Sequence, residues 1–102
     1  MSTSITWSPD AEQSLEELLE WLHERWGAKV VSTFLQEIDS ALTRISKLPY
    51  LHPLVSPKKG IRKCLLRKKT LMFYRVRELG DKTEIELLLF VDGRQNPLNF
   101  QF

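Results

Sequence analysis

Two amphipathic stripes that meet at a single glycine constrain this chain more than any other feature. Ala11, Leu15, Leu18, Leu19, Leu22 and Trp26 recur at spacings of three and four. On a 3.6-residue repeat they form one apolar face of a helix. Ser8 and Pro9 open that helix: the serine hydroxyl can accept from an orphan first-turn amide, and the proline lacks only an N–H that its position does not need. Asp10 and Glu12 complement the positive end of the dipole, and Gly27 closes the helix. A second stripe follows at once, through Val31, Phe34, Leu35, Ile38, Ala41, Leu42, Ile45 and Leu48, until Pro49 stops it. Helices joined so tightly fold back on each other as a hairpin. Both stripes then need a common apolar partner.

The remaining segments supply it as strands. Ile5-Thr6-Trp7 is a short β-prone stub at the edge. Residues 49–59, with three prolines, read as a loop. Residues 58–78 interleave Ile61, Cys64, Leu65, Leu66, Leu71, Met72, Phe73, Tyr74 and Val76 with charges, as two strands hinged at Arg67-Lys68-Lys69-Thr70. After a turn at Gly80-Asp81, a third strand runs from Glu84 to Val91. Period two places Ile85, Leu87, Leu89 and Val91 on one of its faces and Glu84, Glu86, Leu88 and Phe90 on the other. Asp92-Gly93 ends it. The order β-α-α-β-β-β predicts one α+β domain over residues 1–102, an antiparallel sheet with a helical hairpin packed on one face. The tail from Arg94 to Phe102 has no period. Its Phe100 and Phe102 either pack back on the core or wait for a partner.

Charge then distinguishes the two faces of that sheet. Nine Lys or Arg residues fall in residues 58–78 against one acid, Glu78. Residues 1–57 carry a net charge of −4 and residues 58–102 a net charge of +6. On the second basic strand Met72, Tyr74 and Val76 are expected to face the helices. That leaves Leu71, Phe73, Arg75 and Arg77 on an open, basic and partly aromatic face suited to an anionic partner.

Several chemistries are set aside by the same residues. A chain of 102 residues with 42% hydrophobic content is one globular domain with its own core. Its one cysteine, Cys64, forms no internal disulfide and fits a reducing compartment. No signal-peptide pattern opens the chain, and no run approaches the roughly 18 apolar residues of a membrane span. A cytoplasmic protein without membrane contact is expected. His23 and His52 lack companions at ligand spacing, so no metal is expected, and the isolated glycines build no phosphate cradle. No cofactor is implied. Trp7, Trp21 and Trp26 read as core or helix-seam residues.

The chain resembles the RelE/ParE superfamily of bacterial type II toxin–antitoxin toxins. The likeness runs through the opening strand, Leu19-Glu20-Trp21-Leu22 to Trp26-Gly27, and the Phe34, Ile38, Leu42, Ile45, Pro49 helix. It continues through Gly60-Ile61-Arg62, Phe73-Tyr74-Arg75-Val76, and Ile85-Glu86-Leu87-Leu88 to Asp92-Gly93-Arg94-Gln95-Asn96-Pro97. The resemblance implies a growth-inhibiting toxin masked by a cognate antitoxin in a hetero-oligomer. It implies either of two mechanisms. RelE-like members cut messenger RNA on the ribosome, which requires a base, an acid and cations about the phosphorane; Lys68, Arg75, Arg94 and Tyr74 are the candidates here. Such relatives place a Tyr or His near the C-terminus, where this chain has neither. ParE-like members poison DNA gyrase by binding, without acid–base chemistry, and the Phe-Tyr-Arg-Val strand and Asp-Gly-Arg ending are closer to that branch. The expectation is therefore a ParE-like binding toxin. The alternatives are a ribosome-dependent endonuclease and a degenerate, non-toxic module that only binds its antitoxin. Contacts to target or antitoxin are expected at Arg62, Lys63, Arg67, Lys68, Lys69, Phe73, Arg75, Arg77, Phe90 and Arg94, with Asp92 orienting Arg94 through a bidentate pair.

Overall fold

A computed structural model describes residues 2–67 and 69–94. The elements run β1 (Ser2–Trp7), α1 (Pro9–Trp26), α2 (Ala28–Lys47), β2 (Leu54–Ser56), β3 (Ile61–Leu66), β4 (Thr70–Leu79) and β5 (Lys82–Asp92). They form the expected α+β arrangement, a five-stranded sheet in the order β1-β5-β4-β3-β2 with both helices on one face. Ser8 caps α1 as its sequence position demands, accepting from the Ala11 N–H at 3.0 Å. Gly27 sits at φ 85°, a conformation costly to any residue with a Cβ, and its N–H closes α1 onto the His23 carbonyl at 2.9 Å.

The core lies between the helices and the sheet. Leu18 and Leu22 of α1, and Phe34, Ile38, Ala41 and Ile45 of α2, pack on Cys64, Met72, Tyr74, Ile85 and Leu87. The α2 stripe is narrower than its sequence implies: Leu35 stands 41% exposed on its rim. Trp26 also departs from expectation. It lies at the surface, while Trp21 is half-buried.

Three features of the sheet correct the reading from sequence. First, it is mixed: β2 through β5 are antiparallel, but β1 joins β5 in parallel, with Ile5 beside Ile85 and Trp7 beside Leu87. A six-residue strand carries no local signal of a partner some 80 positions away. Second, the proline-rich loop contains β2, a short strand on the outer side of β3. Prolines at the ends of an edge strand remove no inward ladder bond.

Third, β5 contains a bulge. Phe73 pairs with Leu89 and Tyr74 with Leu87, so Leu88 is the extra residue. The period-two pattern reverses there. Ile85 and Leu87 face the helices before it, and Phe90 and Asp92 do so after it, at 4% and 1% exposure. Phe90 stacks on Trp7 with centroids 5.7 Å apart. Helix α1 satisfies the loosened backbone: Ser8 Oγ donates to the Leu88 carbonyl at 3.1 Å, and Ser14 Oγ accepts from the Phe90 N–H at 3.0 Å. The bulge and the start of α1 are therefore one construction.

Candidate functional site: the cations of the sheet

The hairpin of β4 and β5 fixes where its arginines go. Its two-residue turn, Gly80-Asp81 with glycine at φ 66°, sets Arg77 opposite Glu84 and Arg75 opposite Glu86. Both pairs stand on the face away from the helices. Arg75 donates to Glu86 Oε1 from Nη2 at 2.5 Å and from Nε at 3.1 Å. Arg77 reaches the same oxygen at 3.1 Å and lies 3.9 Å from Glu84. The quartet is neutral and partly exposed, and pairs of this kind contribute about 0.5 kcal/mol each. Positive charge is thus offset where the sequence predicts it.

The other candidates diverge. Arg67 adopts φ 59°, the left-handed region, at a strain of about 1 kcal/mol. Its Nε turns to the helix side and donates to both oxygens of Glu37, at 2.8 and 3.0 Å. Beside it a groove of about 450 Å³ is lined by Thr33, Ser40, Arg44 and Leu65. Arg62 points inward along β3 and clamps the loop ahead of β2. Its Nη1 donates to the His52 carbonyl at 2.7 Å and the Tyr50 carbonyl at 3.3 Å, while its guanidinium lies over the Tyr50 ring at 5.1 Å. Lys63 and Lys69 are exposed. Lys68 lies outside the described residues, as do Phe100 and Phe102. A single continuous basic face is therefore not what the sheet presents. Among the described residues, Arg25, Lys29, Arg44, Lys47, Lys58, Lys59, Arg62, Lys63, Lys69 and Lys82 have no ion-pair partner. They sit on both helices, on β3 and the connections on either side of it, and at the start of β5.

Two aromatic candidates are buried rather than presented. Phe90 is in the core, and Phe73 is only 5% exposed, so neither offers a free ring to a partner. Tyr74 is fully buried, as its strand parity predicts. Its hydroxyl donates to the Pro49 carbonyl at 2.9 Å, and burial pushes its pKa up to about 12. A phenol in that state holds a loop and is a poor proton donor to anything else.

Arg94 is held as expected. Its Nε donates to Asp92 Oδ1 at 3.0 Å and its Nη2 to Oδ2 at 2.7 Å, with the Arg94 N–H also on Oδ1 at 2.8 Å. The Thr70 hydroxyl donates to Oδ2 at 2.6 Å. Burial raises the Asp92 pKa, but the donors from Arg94 and Thr70 outweigh it and hold the carboxyl below its ordinary range. The Arg94 guanidinium lies 5.6 Å from the Trp21 ring and 5.0 Å from the Trp26 ring; Arg25 covers Trp21 at 4.8 Å. This cation–aromatic cluster at the end of α1 was not legible from spacing, because β5 delivers Arg94 to it from far along the chain.

His52 carries the one buried side-chain polar atom without a hydrogen bond among the described residues, Nε2. Its ring stands edge-on to Tyr74 at 6.1 Å. Burial lowers its pKa from 6.5, and the nearby Arg44 charge adds to that. A histidine kept neutral by folding binds fewer protons in the native state than in the unfolded one. Its contribution is intact above pH 6.5 and is lost as pH falls through that value toward the lower native pKa. Thermal midpoints measured from pH 7.5 to 5 should fall in the parent protein and fall less in His52→Gln.

The family model described as "ParE toxin of type II toxin-antitoxin system, parDE" matches residues 5–97. The chain belongs to the ParE toxin family and is a toxin of the type II toxin–antitoxin class. Its fold is similar to a chain of the chromosomal ParDE toxin–antitoxin system of P. aeruginosa, at TM-score 0.68 and 20% identity, covering 90% of this chain and 95% of that one. A YoeB/ParE toxin from Agrobacterium tumefaciens aligns at TM-score 0.62 and 13% identity, covering 90% and 98%. A chain of the E. coli DinJ-YafQ toxin–antitoxin complex aligns at TM-score 0.61 and 14% identity, covering 94% and 98%. No curated protein matches the chain by sequence. No helix among the described residues is long and apolar enough to cross a membrane.

Proposed function

We propose that this toxin arrests growth by binding DNA gyrase rather than by cutting RNA, and that a cognate antitoxin neutralises it. The observation that carries this reading is the engagement of three of the four groups named for a ribonuclease; the fourth, Lys68, lies outside the described residues. The Tyr74 hydroxyl is spent on the Pro49 carbonyl, Arg75 on Glu86, and Arg94 on Asp92. Cleavage by a ribose hydroxyl requires an acid and a base free to exchange protons near the scissile phosphate, and those three side chains are structural ties. A binding toxin needs only a surface. Membership of the ParE family supports the same choice.

Induction in cells tests it. The gyrase reading expects stalled replication and DNA-damage signalling while transcripts stay intact. Transcripts cut within translated frames shortly after induction would instead establish the endonuclease. Harmless expression at levels that saturate the antitoxin would establish a non-toxic binding module.

A further inference from the structure

The segment between α2 and β3 turns apolar side chains outward. Leu48, Tyr50, Leu51, Leu54 and Val55 are 58%, 53%, 59%, 41% and 38% exposed. Such density of large side chains facing water marks an interaction surface. The backbone beneath them is fixed. Tyr74 bonds the Pro49 carbonyl, and Arg62 bonds those of Tyr50 and His52. A surface held this way loses little freedom when it is covered.

The segment ends in a sheet edge. β2 is the terminal strand, with no strand beyond it among the described residues. The Lys63 N–H donates to the Pro53 carbonyl at 3.1 Å, so Pro53 bonds inward to β3. By strand alternation the Leu54 N–H and C=O then face outward. The strand is three residues long, between Pro53 and Pro57. Its outward bonding is therefore centred on Leu54. A two-fold axis at that residue suits it: the Leu54 N–H of each copy donates to the Leu54 carbonyl of the other, as in the closely bonded pair of an antiparallel ladder.

Charge about this edge has both signs, in an order that complements itself. Lys58 and Lys59 follow β2, exposed and without ion-pair partners among the described residues. Ahead of β2, Tyr50 holds an acid: its hydroxyl donates to Glu78 Oε2 at 2.6 Å, and Thr83 donates to Glu78 Oε1 at 2.8 Å. Tyr50 stands four residues before Leu54 and Lys58 four residues after it. An axis at Leu54 therefore carries Lys58 of each copy toward Tyr50 and Glu78 of the other.

We propose that two copies of this chain pair about a two-fold axis at Leu54, joining their sheets edge to edge through β2 and the Leu48–Val55 belt. The pairing does not depend on the gyrase reading above. It closes an open sheet edge, covers each apolar belt with its own copy, and sets Lys58 against Glu78 on both sides of the axis. Lys47 and Lys59, both exposed, stay in the solvated rim. A nucleic acid would set its phosphates against the apolar belt and Glu78.

Sedimentation equilibrium of the free chain over roughly 1 to 200 µM should show a reversible monomer–dimer equilibrium. The Leu54 amide should exchange more slowly as the dimer fills. Leu51→Ser/Leu54→Ser, at exposed positions and checked by an unchanged melting curve at a concentration where both proteins are monomeric, should raise the dissociation constant about 100-fold. Lys58→Glu and Glu78→Lys should each raise it about 10-fold, and the combined Lys58→Glu/Glu78→Lys should return it close to the parent value. A parent chain that stays monomeric throughout that range overturns the proposal. So does a dimer that the leucine variant leaves intact, or one in which the combined charge variant is no tighter than the single ones. A monomeric parent whose leucine variant loses antitoxin binding assigns the belt to the antitoxin and also overturns it.

Discussion

Phe90→Ala should destabilise the whole fold rather than weaken one of its contacts. Phe90 is 4% exposed and stacked on Trp7, beside the bulge that α1 completes through Ser8 and Ser14. Removing a buried phenyl ring costs about 3–5 kcal/mol, transfer and cavity together. A domain of this size has about 5–15 kcal/mol in total. In a melting experiment the expected loss is of order 15 °C or more. Phe90→Leu, which keeps most of the volume, should lose about 1 kcal/mol. If Phe90→Ala instead melts like the parent and binds antitoxin poorly, the ring belongs to the surface and the bulge is misplaced.

Asp92→Ala should be the second large effect. The carboxylate is 1% exposed and accepts from Thr70 and from three Arg94 donors. Its loss leaves a buried hydroxyl unpaired and frees the guanidinium that lies against Trp21 and Trp26, at a cost of about 3 kcal/mol. Asp92→Asn keeps the shape and part of the bonding, and should cost about half of that. Acid titration separates the charge from the shape. The native carboxyl titrates below 3.8, so its stabilisation is present above that pH and is lost as pH falls through the native value. Melting midpoints of the parent should therefore drop more steeply below pH 4 than those of Asp92→Asn.

The parts of this fold legible in the sequence are those governed by local rules. The Ser8-Pro9 start, the Gly27 break and the Gly80-Asp81 turn each depend on the conformations of a few residues, and each stands where its chemistry places it. Tyr74 and Met72 face the helices because simple alternation holds along β4. Alternation failed in β5 because one inserted residue, Leu88, turns every later side chain over, and no composition signal marks it. Period two therefore put Phe90 outside when it is inside. The parallel partner of β1 was not readable, since the choice is made by packing of the intervening hairpin.

The candidate site was less legible than the fold, for an electrostatic reason. Counting cations along a segment ignores the acids that other strands bring to it. Hairpin register carries part of that information: a two-residue turn at Gly80-Asp81 sets Glu84 across from Arg77 and Glu86 across from Arg75. Glu37 opposite Arg67 comes from packing of α2 on the sheet and has no such signal. The lysines without an ion pair among the described residues are consequently spread over α2, the connections around β3, β3 itself and the start of β5.

The claim that this toxin acts by binding is tested most directly with purified components. Supercoiling by DNA gyrase should be inhibited as the toxin is titrated to a modest molar excess, and restored by adding the antitoxin, while ribosome-bound transcripts incubated with the same toxin stay whole. Full supercoiling activity at that excess, together with cut transcripts on the ribosome, would contradict it.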